Sequence, residues 1–247
     1  MSELSSILSL ETATISSWPA ITTALDGLWL ARLARGYTKR SNSVQCLDPD
    51  DDGDAAGRLQ RMVDLFLRND RDPLFRVTPL AGPGVLAALD AGGWAPFEES
   101  RVLAMPLGEY PEPDGVRFYD GADRNWLEAF TGLAGIDRRS AATLALLLDL
   151  IAWPQAGVLL RDSGGEPVAA ALAVAAGDIG CYHNVVVRTD SRGKGLGRAV
   201  MHAALNWTKT AGANRAAIQV VSDNAPALGL YASLGFSEVY RYHYRRP

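Results

Sequence analysis

The sequence predicts an α/β (α+β) fold present twice in one chain, as a complete copy preceded by a shortened one. Three observations carry this expectation. The stretch "RTDSRGKGLGRAVMHAALNW", residues 188–207, crowds three glycines and four basic residues ahead of an apolar stripe at helical spacing. The second half of the chain reads in the order β-α-α-β-β-β-α-β-α-β. The two halves also echo each other at offsets of 140 and 142 residues.

Each element has its own signal. "VRFYD", residues 116–120, is a short strand. Trp126, Phe130 and Leu133, then Leu144, Leu147, Leu148 and Ile151, recur at steps of three to four and mark two helices, the second ended by Pro154. Two strands follow, joined at Ser163-Gly164-Gly165, and a turn at Gly177-Asp178 leads to a third. The glycine-rich loop then enters a helix whose stripe is Leu196, Val200, Ala203, Ala204 and Trp207. "RAAIQVV" is a buried strand. "APALGLYASLGF" is a helix with Pro226 near its start and Gly235 past its end, and "EVYRYHYRR" is a last strand.

The repeat is laid out by "NSVQCLDPDDDGDAAGRLQRMVDLFL" over "NVVVRTDSRGKGLGRAVMHAALNW", with Gly57 over Gly197, and by "LAALDAGGWAPFEE" over "LGLYASLGFSEVY", with Trp94 over Phe236. The proline- and glycine-rich "MPLGEYPEPDG", residues 105–115, separates the copies, so the expected domains are 1–108 and 109–247.

Composition excludes several classes. A formal charge of -4 argues against general nucleic-acid binding. Two distant cysteines, Cys46 and Cys181, and three scattered histidines offer no metal spacing and no disulfide framework. No apolar run spans a membrane and the amino terminus has no signal-peptide pattern, so a cytoplasmic protein is expected. A homodimer is compatible with the sequence.

A helix amino end leaves up to four N–H groups unpaired and carries partial positive charge, and glycines let an anion approach them. With Arg192 and Lys194, the loop Arg192, Gly193, Lys194, Gly195, Leu196 and Gly197 suits a phosphate or pyrophosphate, although a glycine-rich turn can also simply open a helix. The third glycine comes one residue early for a dinucleotide fingerprint, and Lys194 is followed by Gly195 rather than the hydroxyl a P-loop needs.

What remains is Arg-x-x-Gly-x-Gly, met by Arg192, Gly195 and Gly197, followed at the right distance by Asn-x-x-Ala-x-x-x-Tyr-x-x-x-Gly-Phe at Asn224, Ala227, Tyr231, Gly235 and Phe236. Over roughly residues 115–247 the chain resembles the GNAT N-acetyltransferase superfamily. The resemblance implies a mixed, mostly antiparallel twisted sheet flanked by helices. It implies acetyl-CoA as the acyl donor, its pyrophosphate in the glycine loop and its pantetheine arm along the backbone of Val185, Val186 and Val187. It implies direct attack on the thioester by a primary amine of a small molecule, amino acid or peptide.

Tyr231 is then the candidate acid for the departing thiolate, with aromatic packing as its plainer role. Asn224 either caps its helix or touches the cofactor. His183 is the candidate base, sharing a strand face with Val185 and Val187 if alternation holds, against the plainer reading of a packed strand histidine. No glutamate stands on this strand. That absence keeps open a non-catalytic acyl-CoA sensor or partner-binding module. Cys181, among apolar residues, is expected to be an inert thiol.

The first copy is expected to bind no coenzyme A. Asp52 falls under Arg192 and Asp54 under Lys194, and Leu89 and Gly82 replace Tyr231 and Asn224. The basic, aromatic stretch of residues 29–43 is a candidate for the acceptor side, or else a solvated strand pair.

Overall fold

In the computed structural model, which describes residues 2–247, the chain builds one eleven-stranded sheet. The first half runs α1 (Glu3–Ser17), β1 (Thr22–Asp26), β2 (Trp29–Leu33), β3 (Val44–Cys46), α2 (Ala55–Arg68), β4 (Phe75–Val77), α3 (Pro83–Ala91) and β5 (Ala95–Pro106). The second runs β6 (Val116–Asp120), α4 (Arg124–Ala134), α5 (Arg138–Asp149), β7 (Gln155–Arg161), β8 (Pro167–Ala176), β9 (Ile179–Val187), α6 (Leu196–Thr210), β10 (Arg215–Val221), α7 (Ala225–Ser233) and β11 (Ser237–Arg246). From β7 onward the second half matches the first from β1 onward, element for element. The first copy lacks a counterpart of β6 among the described residues and has the single helix α1 where the second has α4 and α5.

Capping explains the helix starts. Oδ1 of Asp123 accepts from the N–H groups of Asn125 and Trp126 at α4, and Asp137 does the same for Arg139 and Ser140 at α5. Asn224 caps α7 by accepting from Ala227 N–H at 3.2 Å. Strand β8, "PVAAALAVAA", is buried along nine of its ten residues because helices cover both its faces. Its alanines let α6 approach from one side and α1 and α4 from the other. On the next strand Gly157 leaves room for the Trp126 ring, which a Cβ there would meet at 2.4 Å, and the indole N–H donates to Val158 O.

The sheet order is β1-β2-β3-β4-β11-β5-β10-β9-β8-β7-β6. The copies exchange their final strands. β5 lies between β10 and β11, and β11 lies between β4 and β5, so each half completes the other's sheet. The β5–β11 pairing sits at the centre of this pseudo-twofold arrangement and runs antiparallel from Ser237↔Ala104 to Arg246↔Ala95. Among the described residues all pairs are antiparallel except β3–β4 and β9–β10, which occupy equivalent places in the two copies.

One polar network pins α1 to the sheet. Glu11, fully buried, receives Arg76 of β4, Tyr240 of β11 and Gln45 of β3. The Arg76 guanidinium also lies 3.8 Å from the centre of the Tyr242 ring. Removing one member of a buried ion pair strands the other charge in a low dielectric. Glu11→Ala is therefore expected to destabilise the protein by about 3–5 kcal/mol, read from the urea midpoint at constant m-value.

Candidate active site

Where β9 follows β8, the pairing slips. Ala170 faces Val186 and Leu172 faces His183, so Asn184 and Val185 stand where β8 offers Ala171 alone. This is a β-bulge, with Asn184 at φ 56, a left-handed conformation that asparagine tolerates better than most residues. The bulge inverts the alternation of side chains. Val185 and Val187 pack with Tyr182 in the core under α6, whereas His183 and Val186 face the α1 side. His183 therefore does not share a face with Val185 and Val187, because the strict alternation that reading assumes fails at Asn184.

The strand also parts from its other neighbour. β9 pairs β10 only from Ile179↔Arg215 to Tyr182↔Ile218. Beyond that point the edges of β9 and β10 that face each other carry no ladder, and a gap opens through the sheet. Helix α6 starts at the same end. Gly193 (φ 76) and Gly195 (φ 81) hold left-handed backbone that a Cβ would strain. Among the described residues no side chain caps the helix, and Ala199 is its first residue to donate to a main-chain carbonyl, that of Gly195. Arg192 and Lys194 are exposed beside these free N–H groups. A Cβ at Gly197 would meet Leu230 at 3.2 Å and Val187 at 3.6 Å, so the end of β9, the start of α6 and helix α7 converge there. Tyr231, the next residue on α7, is 6 % exposed and packs edge-on against Phe236. Burial alone pushes its hydroxyl up to about 12.

Beside the β10 residues that follow the end of the β9–β10 ladder lies an open chamber of about 350 Å³. Thr38, Lys39, Arg40 and Glu98 of the first copy line it, with Gln219 and Val221 of β10. Thr38 (φ 56) and Glu98 (φ 45), both lining it, are again left-handed residues other than glycine. Asn42 fixes the Thr38 loop: its Oδ1 accepts from Ala34 and Gly36 N–H, and its Nδ2 donates to Tyr37 and Thr38 O.

His183 is 4 % exposed and both ring nitrogens are engaged. Arg40 can only donate, so Nδ1 accepts from it at 3.2 Å, and Nε2–H donates to Ser17 Oγ at 3.0 Å. Burial, then the charges of Arg40 and Arg32, hold its pKa well below 6.5. The imidazole is neutral, but its one lone pair is taken. It positions Arg40 and has none to spare for a substrate proton. Cys181 is buried, with its thiol pushed up to about 12 by desolvation, an inert group as expected.

The comparisons agree with this geometry. A family model described as "Probable histone acetyltransferase Rv0428c C-terminal" matches residues 4–245. The chain belongs to this acetyltransferase family. An uncharacterized N-acetyltransferase, YobR of Bacillus subtilis, is 28 % identical over 247 aligned residues, covering 97 % of this chain and 98 % of that one. A mycothiol acetyltransferase of Streptomyces bingchenggensis is 31 % identical, covering 57 % of this chain and 52 % of its own. Among solved structures, a GCN5-related N-acetyltransferase from Kribbella flavida superposes with TM-score 0.73 at 22 % identity, over 100 % of this chain and 96 % of that one. A tandem GNAT protein from the clavulanic acid biosynthesis pathway gives 0.65 at 15 %, over 99 % and 94 %.

The acetyltransferase thus has the fold of these GNAT proteins, in two copies. In its first copy α2, the counterpart of α6, also starts without a side-chain cap, its Arg58 N–H donating to the Asp54 carbonyl, but acidic residues stand where α6 has basic ones. Gly84 N–H, at the start of α3, donates to Asp52 at 2.6 Å, and Asp51 takes Arg58 and Leu28 N–H. The acidic loop is spent on its own backbone and side chains. Residues 29–43 of the acetyltransferase are not a solvated strand pair: β2 is buried throughout and the following loop lines the chamber. Arg40, Glu98 and Gln219 are members of the cleft that the sequence alone did not mark. Only the basic character of residues 29–43 signalled Arg40.

Because His183 is neutral when folded and free to protonate when unfolded, the unfolded state binds more protons below pH 6.5. Its contribution to stability is complete above that pH and shrinks as pH falls towards the depressed folded value. Urea midpoints from pH 7 to 5 are expected to decline less steeply in His183→Gln than in the parent, by up to about 1.4 kcal/mol per pH unit.

Proposed function

We propose that the chain transfers an acetyl group from acetyl-CoA to a primary amine, with the donor on the α6 face and the acceptor in the chamber on the α1 face. The observation that supports this reading is the parting of β9 from β10, which leaves an unladdered edge on β9 towards the unsealed amino end of α6 and on the β10 residues that line the chamber. The residues fit the donor. The free N–H groups of α6, with Arg192 and Lys194, suit a diphosphate. The unladdered edge beside Val185, Val186 and Val187 offers backbone groups to an amide-bearing arm, and Val185, Val187 and Leu196 give it an apolar wall. Asn224 holds α7 in place as its cap. Acetyl-CoA, when bound, supplies an acyl group activated as a thioester.

The protein's own groups do the rest. Tyr231 stays protonated far above neutral pH, and among the described residues its hydroxyl has no hydrogen-bond partner, so it is free to donate to the departing sulfur. The acceptor nitrogen must lose a proton to attack. Glu98 is the one carboxylate lining the chamber among the described residues. Its Oε2 bonds Lys39 at 2.7 Å, leaving Oε1 to take that proton directly or through water. In the net transfer a carbon–nitrogen bond forms, the carbon–sulfur bond breaks and the proton released by nitrogen balances the thiol.

Acetyl-CoA is expected to raise the Tm of the parent protein, and Gly195→Val, which places a β-branched residue at φ 81, is expected to abolish that rise. Tyr231→Phe should keep the rise and lower kcat by about 10²-fold. A Tyr231→Phe protein that turns over as fast as the parent removes the acid from this scheme. Glu98→Gln should lower kcat while leaving the acetyl-CoA-induced rise in Tm in place.

A further inference from the structure

The acetyl-transfer reading leaves the acceptor unspecified, and the chemical class of that acceptor can be assigned only if the reading holds. Four cations gather around the chamber: Arg32, Lys39, Arg40 and Arg76. Two have carboxylate partners, Arg76 with Glu11 and Lys39 with Glu98. Among the described residues no carboxylate oxygen lies within 4.0 Å of Arg32 or Arg40. Arg32, 3 % exposed, donates to the carbonyls of Ile15, Trp18 and Arg40. These satisfy its N–H groups but leave its charge standing. Burial, then Arg76 and Arg40 beside it, pulls Arg32 down to about 9.

The inner wall has further open valences. Arg40 and Gln219 line both the chamber and a small cavity of about 10 Å³ behind it. Two buried atoms among that cavity's lining residues have no hydrogen-bond partner, Oε1 of Gln45 and Nε of Arg76. Arg40 itself is held ready. His183 accepts from one of its nitrogens, its guanidinium lies 5.2 Å from the Trp18 ring centre, and Asn42 fixes the loop that carries it.

Arg32 is buried and Arg40 half-buried, and cations taken out of water without a counter-charge leave their desolvation uncompensated. The planar fork of arginine matches a carboxylate. We infer that the acceptor amine carries a carboxylate that seats on Arg40 at the inner wall of the chamber, so that the acceptor is an amino acid or similar small zwitterion. A lysine-rich tail would instead bring like charge towards Arg32, Lys39 and Arg40. Of the three carboxylates at the outer groove, Glu99 pairs with Arg241 and Glu98 with Lys39, which leaves Asp223 alone against those three cations.

The test is acetyl-CoA-dependent thiol release across the standard L-amino acids, each paired with its C-terminal amide. A lysine-rich peptide and phosphoethanolamine complete the panel, and Tm shifts of the coenzyme A-loaded protein are measured with the same compounds. At least one acid should exceed its amide in kcat/KM by roughly ten- to hundredfold, the loss expected for one charge-assisted pair. Arg40→Gln should raise the KM for that acid by a similar factor and bring the acid-to-amide ratio of kcat/KM towards one, and Arg40→Lys should recover part of it. Amides or the peptide used as well as acids, phosphoethanolamine preferred over every acid, or Arg40→Gln without effect, would each overturn the carboxylate site. So would acetyl-CoA binding normally while no acid binds or reacts. Acetyl-CoA that fails to raise the Tm at all defeats the acetyl-transfer reading itself.

Discussion

A single extra residue in β9 organises the site. At Asn184 the strand gains one residue against β8, and that geometry has three consequences. Val185 and Val187 turn to the α6 face, where Tyr231 waits on α7. His183 turns to the α1 face, where it meets Arg40 and Ser17. And the strand, bent by the bulge, leaves β10 after Tyr182, so the sheet has a slot at its centre instead of a continuous ladder.

The second constraint is the exchange of β5 and β11. Each copy alone would have a place left open in its sheet, beside β10 in one half and beside β4 in the other. Because the exchanged strands also pair with each other, separating the halves would expose three antiparallel interfaces at once. Helix α1 reinforces this by sending Glu11 to Arg76 of the first copy and Tyr240 of the second. The halves are therefore a fused pair, and the wall opposite the donor face has a fixed position relative to it.

Much of this was legible in the sequence where the signal was local. Capping residues, glycine turns and apolar spacing placed every element of the second half in order, down to Gly235 at the end of α7 and Asn224 as its cap. The weak repeat located the shortened copy because helix entry and helix exit both keep their landmarks, Gly57 with Gly197 and Trp94 with Phe236. Failures came where a tertiary relation decided. Nothing in "CYHNVVV" announces a bulge, so alternation put His183 on the wrong face. Strand exchange leaves no mark in either strand's composition. The burial of β2 was hidden because "WLARL" carries an arginine whose charge is housed by main-chain carbonyls rather than by water.

The two copies show one structural element turned to two ends. A helix amino end behind a glycine-containing loop presents unpaired N–H groups in both. In the second copy glycines and basic residues leave that end open to an outside anion. In the first, α2 also starts without a side-chain cap, but Asp51, Asp52 and Asp54 stand at or beside its start, and Asp52 bonds the N–H of Gly84 at the neighbouring α3. Like charge there disfavours an outside anion. Thr38, Lys39, Arg40 and Glu98, all from that copy, line the chamber together with β10 of the other. Asn42 and the Lys39–Glu98 pair hold Thr38 and Glu98 in their left-handed backbone. The first half thus carries acid where the second has its glycine-rich loop, and contributes its own residues to a wall on the sheet that the two halves share.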